Sequence, residues 1–407
     1  MKSVDDQLRE ILDAVAPLPS LQLRLLEAHG CMLSEDVVAD GPLPGFDNSA
    51  MDGYAVRAAD LATASEATPV SLPVVGDIPA GTAPQMTIQS GMSARIMTGA
   101  PLPAGADSVV PVEWTDGGIA TVSIRQAPQP GQHIRRAGED VRTGDVVLTS
   151  GTVLGAAQIG LLAAVGRRHV LVHPRPRVVV MSTGSELVEP GDPIPDGSLV
   201  DSNSYALAAA VREAGGLPYR AGIVPDDPRV LADALDDHLI QADVIVTSGG
   251  VSVGAYDVVK EVLGRLGTVS FDRIAMQPGM PQAFGHIGPD RTPIFGLPGN
   301  PVSALVSFEV FVRPALRRML GTQQIARPQV SATLTDAVRS PEGRRQYVRV
   351  AVERNGAGWT ARPTGGHGSH LLAGLAHANG LAVIPELQTE VPAGTPVTVW
   401  LLERRGL

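Results

Sequence analysis

The sequence predicts a multidomain chain of α/β and β regions, and three observations carry that reading. From Arg177 to about Leu320, apolar strand-length runs alternate with helix-length amphipathic segments, the pattern of a mainly parallel sheet covered on both faces. From Val37 to about Leu148, short apolar runs are punctuated by Gly and Pro, which marks a strand-and-turn region. After Arg327 the apolar period returns to two, so a small C-terminal β-domain follows.

Taken in order, Val4, Leu8, Ile11, Leu12 and Val15 recur at helical spacing behind Ser3, whose hydroxyl can cap the free amides, with Asp6 three residues on. That helix ends near Pro17. Residues 21–29 read as a second helix, stopped at Gly30, a residue that tolerates left-handed backbone. Strands are expected at 69–75, 93–97, 108–112 and 119–124. In the α/β region, 178–181 is a buried strand, 201–217 a helix closed by Gly215 and Gly216, and 219–224 a strand. Asp227 caps the next helix, with Pro228 at the first position, where a missing N–H costs nothing. Strand 243–247 and helix 257–266 follow. Strands 271–276, 283–287 and 293–297 then lead into a long helix from Val302 to about Leu320. Alternation at 347–352 and 391–402 closes the chain.

With 407 residues, 44% hydrophobic and 18% charged, the chain is globular and long enough for several cores. Its 42 acidic against 32 basic residues, a net charge of -10, argue against nucleic acid or an anionic membrane as partner. Any anionic ligand must be met locally. Lys2 and Lys260 are the only lysines, so the remaining 30 basic residues are arginines. No lysine follows a glycine, which excludes a Walker A phosphate loop, and G-x-G-x-x-G, H-E-x-x-H and C-x-x-C are absent from the sequence. Cys31 stands alone, so intramolecular disulfides and thiolate zinc sites are impossible and a reducing cytoplasm fits. The acidic start lacks the apolar core of a signal peptide, and the most apolar stretch, 152–166, is too short and glycine-rich to span a bilayer.

In an open parallel sheet, ligands sit at the carboxyl ends of the strands. Four loops there stand out: Ser182-Thr183-Gly184-Ser185-Glu186, Asp226-Asp227, the run from Ser248-Gly249-Gly250-Val251-Ser252 to Asp257, and Pro298-Gly299-Asn300-Pro301. Glycines and hydroxyls running into helix N-termini expose backbone amides, a way to hold phosphate without lysine. Glu186, Asp226 and Asp257 would be carboxylates at one rim, suited to Mg²⁺ beside a phosphate or other oxyanion. Singly, each has a plain structural reading: Asp227 as an N-cap, Gly249 and Gly250 as turn residues. Four such loops at one edge favour a ligand. Gly250-Val251-Ser252-Val253-Gly254 also matches the G-x-S-x-G elbow of serine hydrolases. That elbow needs the serine directly after the strand, whereas Ser248, Gly249 and Gly250 intervene, and the nearest later histidine, His286, lies in a predicted strand. Outside the sheet region, the oddest segment is 44–55, which packs Asp47, Asp52, Asn48 and Tyr54 into a loop, and similar density recurs at 95–100 and 135–140. Three of the five asparagines, Asn48, Asn203 and Asn300, fall in segments of this kind.

Phe46-Asp47-Asn48-Ser49-Ala50-Met51-Asp52-Gly53-Tyr54-Ala55, Ile96-Met97-Thr98-Gly99-Ala100, Arg135-Arg136-Ala137-Gly138-Glu139-Asp140, Ser182-Thr183-Gly184-Ser185-Glu186-Leu187, Ser248 to Gly254, Leu297 to Ser303 and Gly368-Ser369-His370 together resemble the MoeA-type molybdopterin molybdenumtransferases, a family that includes the C-terminal part of gephyrin. Several long motifs in one order, over nearly the whole chain, make the resemblance specific. It implies a transferase of molybdenum cofactor biosynthesis that takes adenylylated molybdopterin and molybdate, inserts the metal at the dithiolene and releases AMP, with Mg²⁺ or a similar ion. It further implies a cytoplasmic, elongated homodimer whose active site lies where the α/β and barrel parts of one subunit face the extended domain of the other. Contact with a molybdopterin adenylyltransferase and recipient molybdoenzymes is also implied. The implied domains are an N-terminal region 1–172, with a linking domain (about 20–45 and 141–172) around an inserted extended β-rich domain (about 46–140), a molybdopterin-binding α/β domain 173–326, and a C-terminal β-barrel 327–407.

Carried over by position, the implied catalytic residues are Asp52, Thr98, Asp140, Glu186, Asp226 and Asp257, with Glu186, Asp226 and Asp257 on the metal. Substrate would be held by Ser182, Thr183, Gly184, Ser248, Gly249, Gly250, Ser252, Arg273, Gln277, Pro298, Asn300, Pro301, Arg349 and Ser369. One turn departs from the family pattern. A Lys-Pro-Gly-Lys turn is common there, whereas this chain has Gln277-Pro278-Gly279-Met280, with Arg273 upstream and Ala255 where an acid is frequent. The loss of two positive charges admits a second reading, a molybdopterin-binding scaffold without turnover. A sister adenylyltransferase shares the α/β domain but not the long N-terminal segment or the barrel.

Overall fold

The structure, a computed structural model, describes residues 1–250, 256–356, 358–366 and 368–402, and the side chains of all of these except 256–258. The chain divides into two compact units, one of Met1–Gln22, Gly30–Ser34 and Leu171–Leu407, the other of Leu23–His29 and Glu35–Val170.

The first unit opens with a helix, Val4–Ala14, whose Asp6 amide donates to the Ser3 hydroxyl, as the sequence predicts. Its central sheet runs in the order Leu217–Val224, Arg177–Thr183, Val244–Ser248, Thr292–Leu297, Pro281–Ile287, Gly267–Arg273. The first four strands are parallel and the last two join antiparallel. Alternate residues feed two separate cores. Val178, Val180, Val244, Val246, Phe295 and Leu297 pack on one face, while Val179, Met181, Ile245 and Ile294 pack on the other. Runs of β-branched residues are what a strand buried on both faces requires.

Asn203–Ala214 is a helix ended by Gly215 at φ +99°, and Pro228–Leu239 is capped by Asp227, which accepts from the amides of Arg229 and Val230. Helix Tyr256–Leu266 precedes the antiparallel pair. The expected long helix is present as Pro301–Ser307 and Arg313–Met319 joined by a π-helical turn, Phe308–Val312. Pro314 has no N–H for the carbonyl four residues back, so the ladder adjusts just upstream of it. The expected strand 271–276 is split: Gly267–Arg273 stays in this sheet, and Met276–Gln277 pairs with Arg345–Asn355 of the next. There, Arg345–Asn355, Gly358–Pro363, Gln329–Leu334, Pro396–Leu401 and Gly380–Ile384 close back on the first strand as a five-strand barrel. Closure leaves no edge to pair with other chains.

Residues 21–29 are not a helix. Leu21–Arg24 is a strand, followed by turns up to Gly30, which does adopt a left-handed φ of +79°. Leu21 is 50% and Leu26 84% exposed, so the leucines share no buried stripe that would reward helix formation.

The second unit holds a five-stranded sheet where the sequence places it, in the order Ser108–Pro111, Gly53–Val56, Ser93–Ile96, Val70–Ile78, Thr121–Ile124. Gly53 lets two strands pass closely, because a Cβ there would fall 2.0 Å from the Val110 carbonyl oxygen. A helix over Ala156–Ala164 occupies the apolar stretch, and no helix among the described residues is long and apolar enough to cross a membrane.

Candidate functional site

In the second unit, the three dense segments come together as one surface. Asn48–Ser49 pairs with Ile134–Arg135, the Ser49 amide donates to the Ala100 carbonyl (3.0 Å), and the Gly99 amide donates to the Ser49 carbonyl (2.8 Å). Asp47 accepts from the Ala137 amide (2.8 Å) and the Arg136 guanidinium (2.6 Å), and the Asp140 amide donates to the Leu43 carbonyl (3.0 Å). Asp52 and Thr98 meet at an exposed edge: one Asp52 oxygen accepts both the Thr98 amide (2.7 Å) and the Thr98 hydroxyl (2.8 Å). Those bonds, the amide foremost, hold the Asp52 carboxyl below the usual carboxylate range. Asp140 is exposed on the neighbouring loop.

In the first unit, strand ends build the rim. Ser182 and Thr183 finish their strand rather than start the loop, and both are buried, as is Ser248. Ser182 donates to Asp201 (2.8 Å), and Ser248 accepts from the Asn203 amide group (2.7 Å). Thr183 lies under Gly249 and Gly250, where a Cβ on Gly249 would fall 2.4 Å from the Thr183 carbonyl oxygen, at φ +98°. The three hydroxyls thus support the rim from beneath. Pro298 is buried with them, whereas Gly299 and Asn300 are exposed. Asn300 stands at the cap of the Pro301–Ser307 helix, yet its side chain makes no capping bond. The Val302 amide donates to the Ser369 carbonyl (3.0 Å), which brings Gly368-Ser369-His370 from the barrel onto the rim.

Two acidic loops adjoin it. The Ser185 amide donates to Asp226 (3.4 Å) and the Asp226 amide to the Ser185 hydroxyl (3.1 Å), leaving Glu186 and Asp226 exposed on adjacent loops. Gly184 has φ +155°, and a Cβ there would sit 2.7 Å from a Glu186 carboxylate oxygen. Gly184→Ala is therefore expected to displace Glu186 and lower turnover about tenfold, the scale on which one misplaced group acts. The melting temperature should fall by a few degrees as well, because alanine must adopt a φ of +155° that glycine tolerates freely, although the clash itself is with the end of a flexible side chain. Turnover equal to wild type would contradict the placement. Asp257 is in the first turn of its helix, but its side chain, like all of Ser252, lies outside the described residues. Among the described residues, no three His, Cys, Asp or Glu side chains converge as metal ligands. His286, needed by a serine-hydrolase reading, sits within the Pro281–Ile287 strand against the Phe284 ring, with burial lowering its pKa.

Arg349 faces inward. It is 5% exposed, its guanidinium donates to the carbonyls of Leu371 (2.7 Å) and Gly366, and burial lowers its pKa. Its role here is to hold the loop that carries Ser369. At the neutral turn, the Arg273 guanidinium lies on the Met280 sulfur (3.3 and 3.4 Å), and Arg344 donates to the Gln277 side-chain carbonyl (3.3 Å). Each neutral side chain therefore carries a guanidinium head. Arg344 escapes sequence reading because only the strand register, Met276 opposite Arg345, brings it to a turn 67 positions away.

Comparison with known proteins agrees over the whole chain. The MoeA N-terminal region (domain I and II) matches residues 2–166, a probable molybdopterin binding domain matches 179–318, and the MoeA C-terminal region (domain IV) matches 331–402. The chain is 49% identical over 406 residues to molybdopterin molybdenumtransferase 2 of Mycobacterium tuberculosis (strain CDC 1551 / Oshkosh), covering 98% of this chain and 99% of that one. To molybdopterin molybdenumtransferase 1 of the same strain it is 44% identical over 427 residues, covering both chains fully. Among solved structures, the molybdopterin biosynthesis moeA protein of Pyrococcus horikosii is similar with a TM-score of 0.79 and 34% identity over 99% of each chain.

Proposed function

Because the chain belongs to the MoeA-type molybdopterin molybdenumtransferases, we infer that it is an enzyme of molybdenum cofactor biosynthesis, which inserts molybdate into adenylylated molybdopterin and releases AMP. The observation that carries this is the end-to-end likeness: all three family regions match in order, at up to 49% identity to a molybdenumtransferase.

The chemistry suits the residues in place. Exposed backbone at Gly299, the Gly250 amide and the Asn300 side chain, which makes no capping bond of its own, would hold phosphate oxygens. Mg²⁺ prefers oxygen donors, and Glu186 and Asp226 on adjoining loops, with Asp257, would hold it. When bound, the ion polarises the phosphoanhydride whose cleavage releases AMP. On the other surface, Asp52 fixed by Thr98, together with Asp140, supplies carboxylate. Ser369 is carried on a loop that Arg349 holds from within. Arg273 and Arg344 supply the positive charge that molybdate needs at the Gln277–Met280 turn, which removes the motive for reading the chain as an inactive scaffold. We further propose a cytoplasmic homodimer that meets a molybdopterin adenylyltransferase and recipient molybdoenzymes; light scattering of the purified chain tests the dimer.

Arg344→Ala should raise KM for molybdate about fivefold, the scale of one partly exposed charge contact, while KM for the pterin stays unchanged. Equal shifts in both constants would contradict the assignment. The function itself is tested genetically. The chain alone should restore molybdoenzyme activity to cells lacking their insertase at low molybdate, and failure at both low and high molybdate would refute it.

A further inference from the structure

We propose that Asn203 is the positioning residue that sets the spacing of two ligand-holding loops, working with buried Asp201; this rests on the reading that the rim holds adenylylated molybdopterin. Three neighbouring parallel strands end in one row, with Ser182 in register with Ser248 and Ser248 with Leu297. Beyond that row no ladder bonds hold the chain, and the first turn of the Asn203–Ala214 helix takes over. Asp201, 1% exposed, accepts from the Ser182 hydroxyl, the Ser204 amide (3.1 Å) and the Ser204 hydroxyl, which ties down the first strand end. The Asn203 side-chain amide nitrogen then reaches both other loops, 2.7 Å from the Ser248 hydroxyl and 2.7 Å from the Gly299 carbonyl oxygen.

The pairing is specific to asparagine. A carbonyl can only accept, so the group facing Gly299 must be a donor, and one planar NH₂ supplies two N–H bonds in divergent directions. Aspartate has the same shape and no donor, while serine has one hydrogen and a shorter reach. The bridged loops already pack closely, since a Cβ on Gly299 would lie 3.7 Å from the Gly249 Cα and the Gly249 amide donates to the Leu297 carbonyl (3.0 Å). Asn203 fixes that contact from the helix side. One of only five asparagines in the chain is thereby accounted for.

The test compares purified full-length wild type with Asn203→Ala and Asn203→Asp. Each variant should raise KM for adenylylated molybdopterin about tenfold, as expected for two neutral hydrogen bonds lost. The melting temperature should fall by only a few degrees, the cost of two neutral hydrogen bonds at a half-buried position, and kcat should change less than KM. Hydrogen exchange should quicken at Gly249, Gly299 and Asn300 and stay unchanged in the barrel. Unchanged KM, or unchanged exchange at these loops, overturns the proposal. Should the Asn203 variants fail to fold, Ser248→Ala, which removes one arm of the bridge, decides by the same two readouts. Quickened exchange with a wild type that does not turn over would leave the clamp standing and refute the functional reading instead.

Discussion

Asp52→Ala should lower molybdenum insertion about a hundred- to a thousandfold, the range seen when one preorganised polar group is removed from a reaction site. The carboxylate is exposed and takes both bonds from Thr98, so its loss opens no cavity and leaves two donors that water can satisfy. The variant should melt like wild type. Asp52→Asn separates charge from placement, since it retains an oxygen for Thr98 and lacks the negative charge; it should be nearly as inactive as the alanine variant. The Thr98 bonds depress the Asp52 pKa from its ordinary 3.8, so folding favours the ionised form. That contribution is present above the ordinary value and fades as pH falls through the lower folded value. Acid loss of activity through this group is therefore expected at a lower pH than an aspartate without the Thr98 bonds would show. Single-turnover AMP release across pH, with a thermal melt of each variant, checks both statements. Wild-type turnover in Asp52→Ala would show that the Asp52–Thr98 edge is not part of the reaction surface.

Arg349→Met should destabilise the first unit by about 2–4 kcal/mol, the cost of two carbonyls losing charged donors at a nearly closed position. Methionine fills much of the volume, so the loss reports hydrogen bonding rather than a cavity. The freed loop around Ser369 should also loosen from its anchor on Val302. Arg349→Lys should rescue little, because a single ammonium cannot reproduce a planar fork that reaches Leu371 and Gly366 together. A melting temperature unchanged in Arg349→Met, measured by calorimetry, would contradict this account.

Local chemistry made much of the fold legible. Ser3 with Asp6, Asp227 with Pro228, and Gly215 each carry a capping rule within a few residues, and all three act as read. The buried strands were visible because unbroken β-branched runs are compatible with little else. Residues 21–29 misled because leucines at helical spacing say nothing about whether a partner covers them, and here Leu21 and Leu26 stay exposed. The candidate site was legible as residue types and less so as roles. Ser182, Thr183 and Ser248 belong to strand ends, so their hydroxyls turn inward, and Arg349 points into its own loop. Arg344 and Asn203 act across strand registers and loop crossings that no window of sequence contains. The charge deficit at Gln277 and Met280 was visible in the sequence, but it pointed to a scaffold, and the guanidinium of Arg344 beside Gln277 was not legible there.

The central claim is tested most directly by incubating the purified chain with adenylylated molybdopterin, molybdate and Mg²⁺, and following AMP release together with cofactor transfer to a molybdenum-free recipient enzyme. The account predicts one AMP released for each cofactor formed, with neither product when molybdate is withheld. Tight binding of the pterin with no AMP and no cofactor at any molybdate concentration would contradict it.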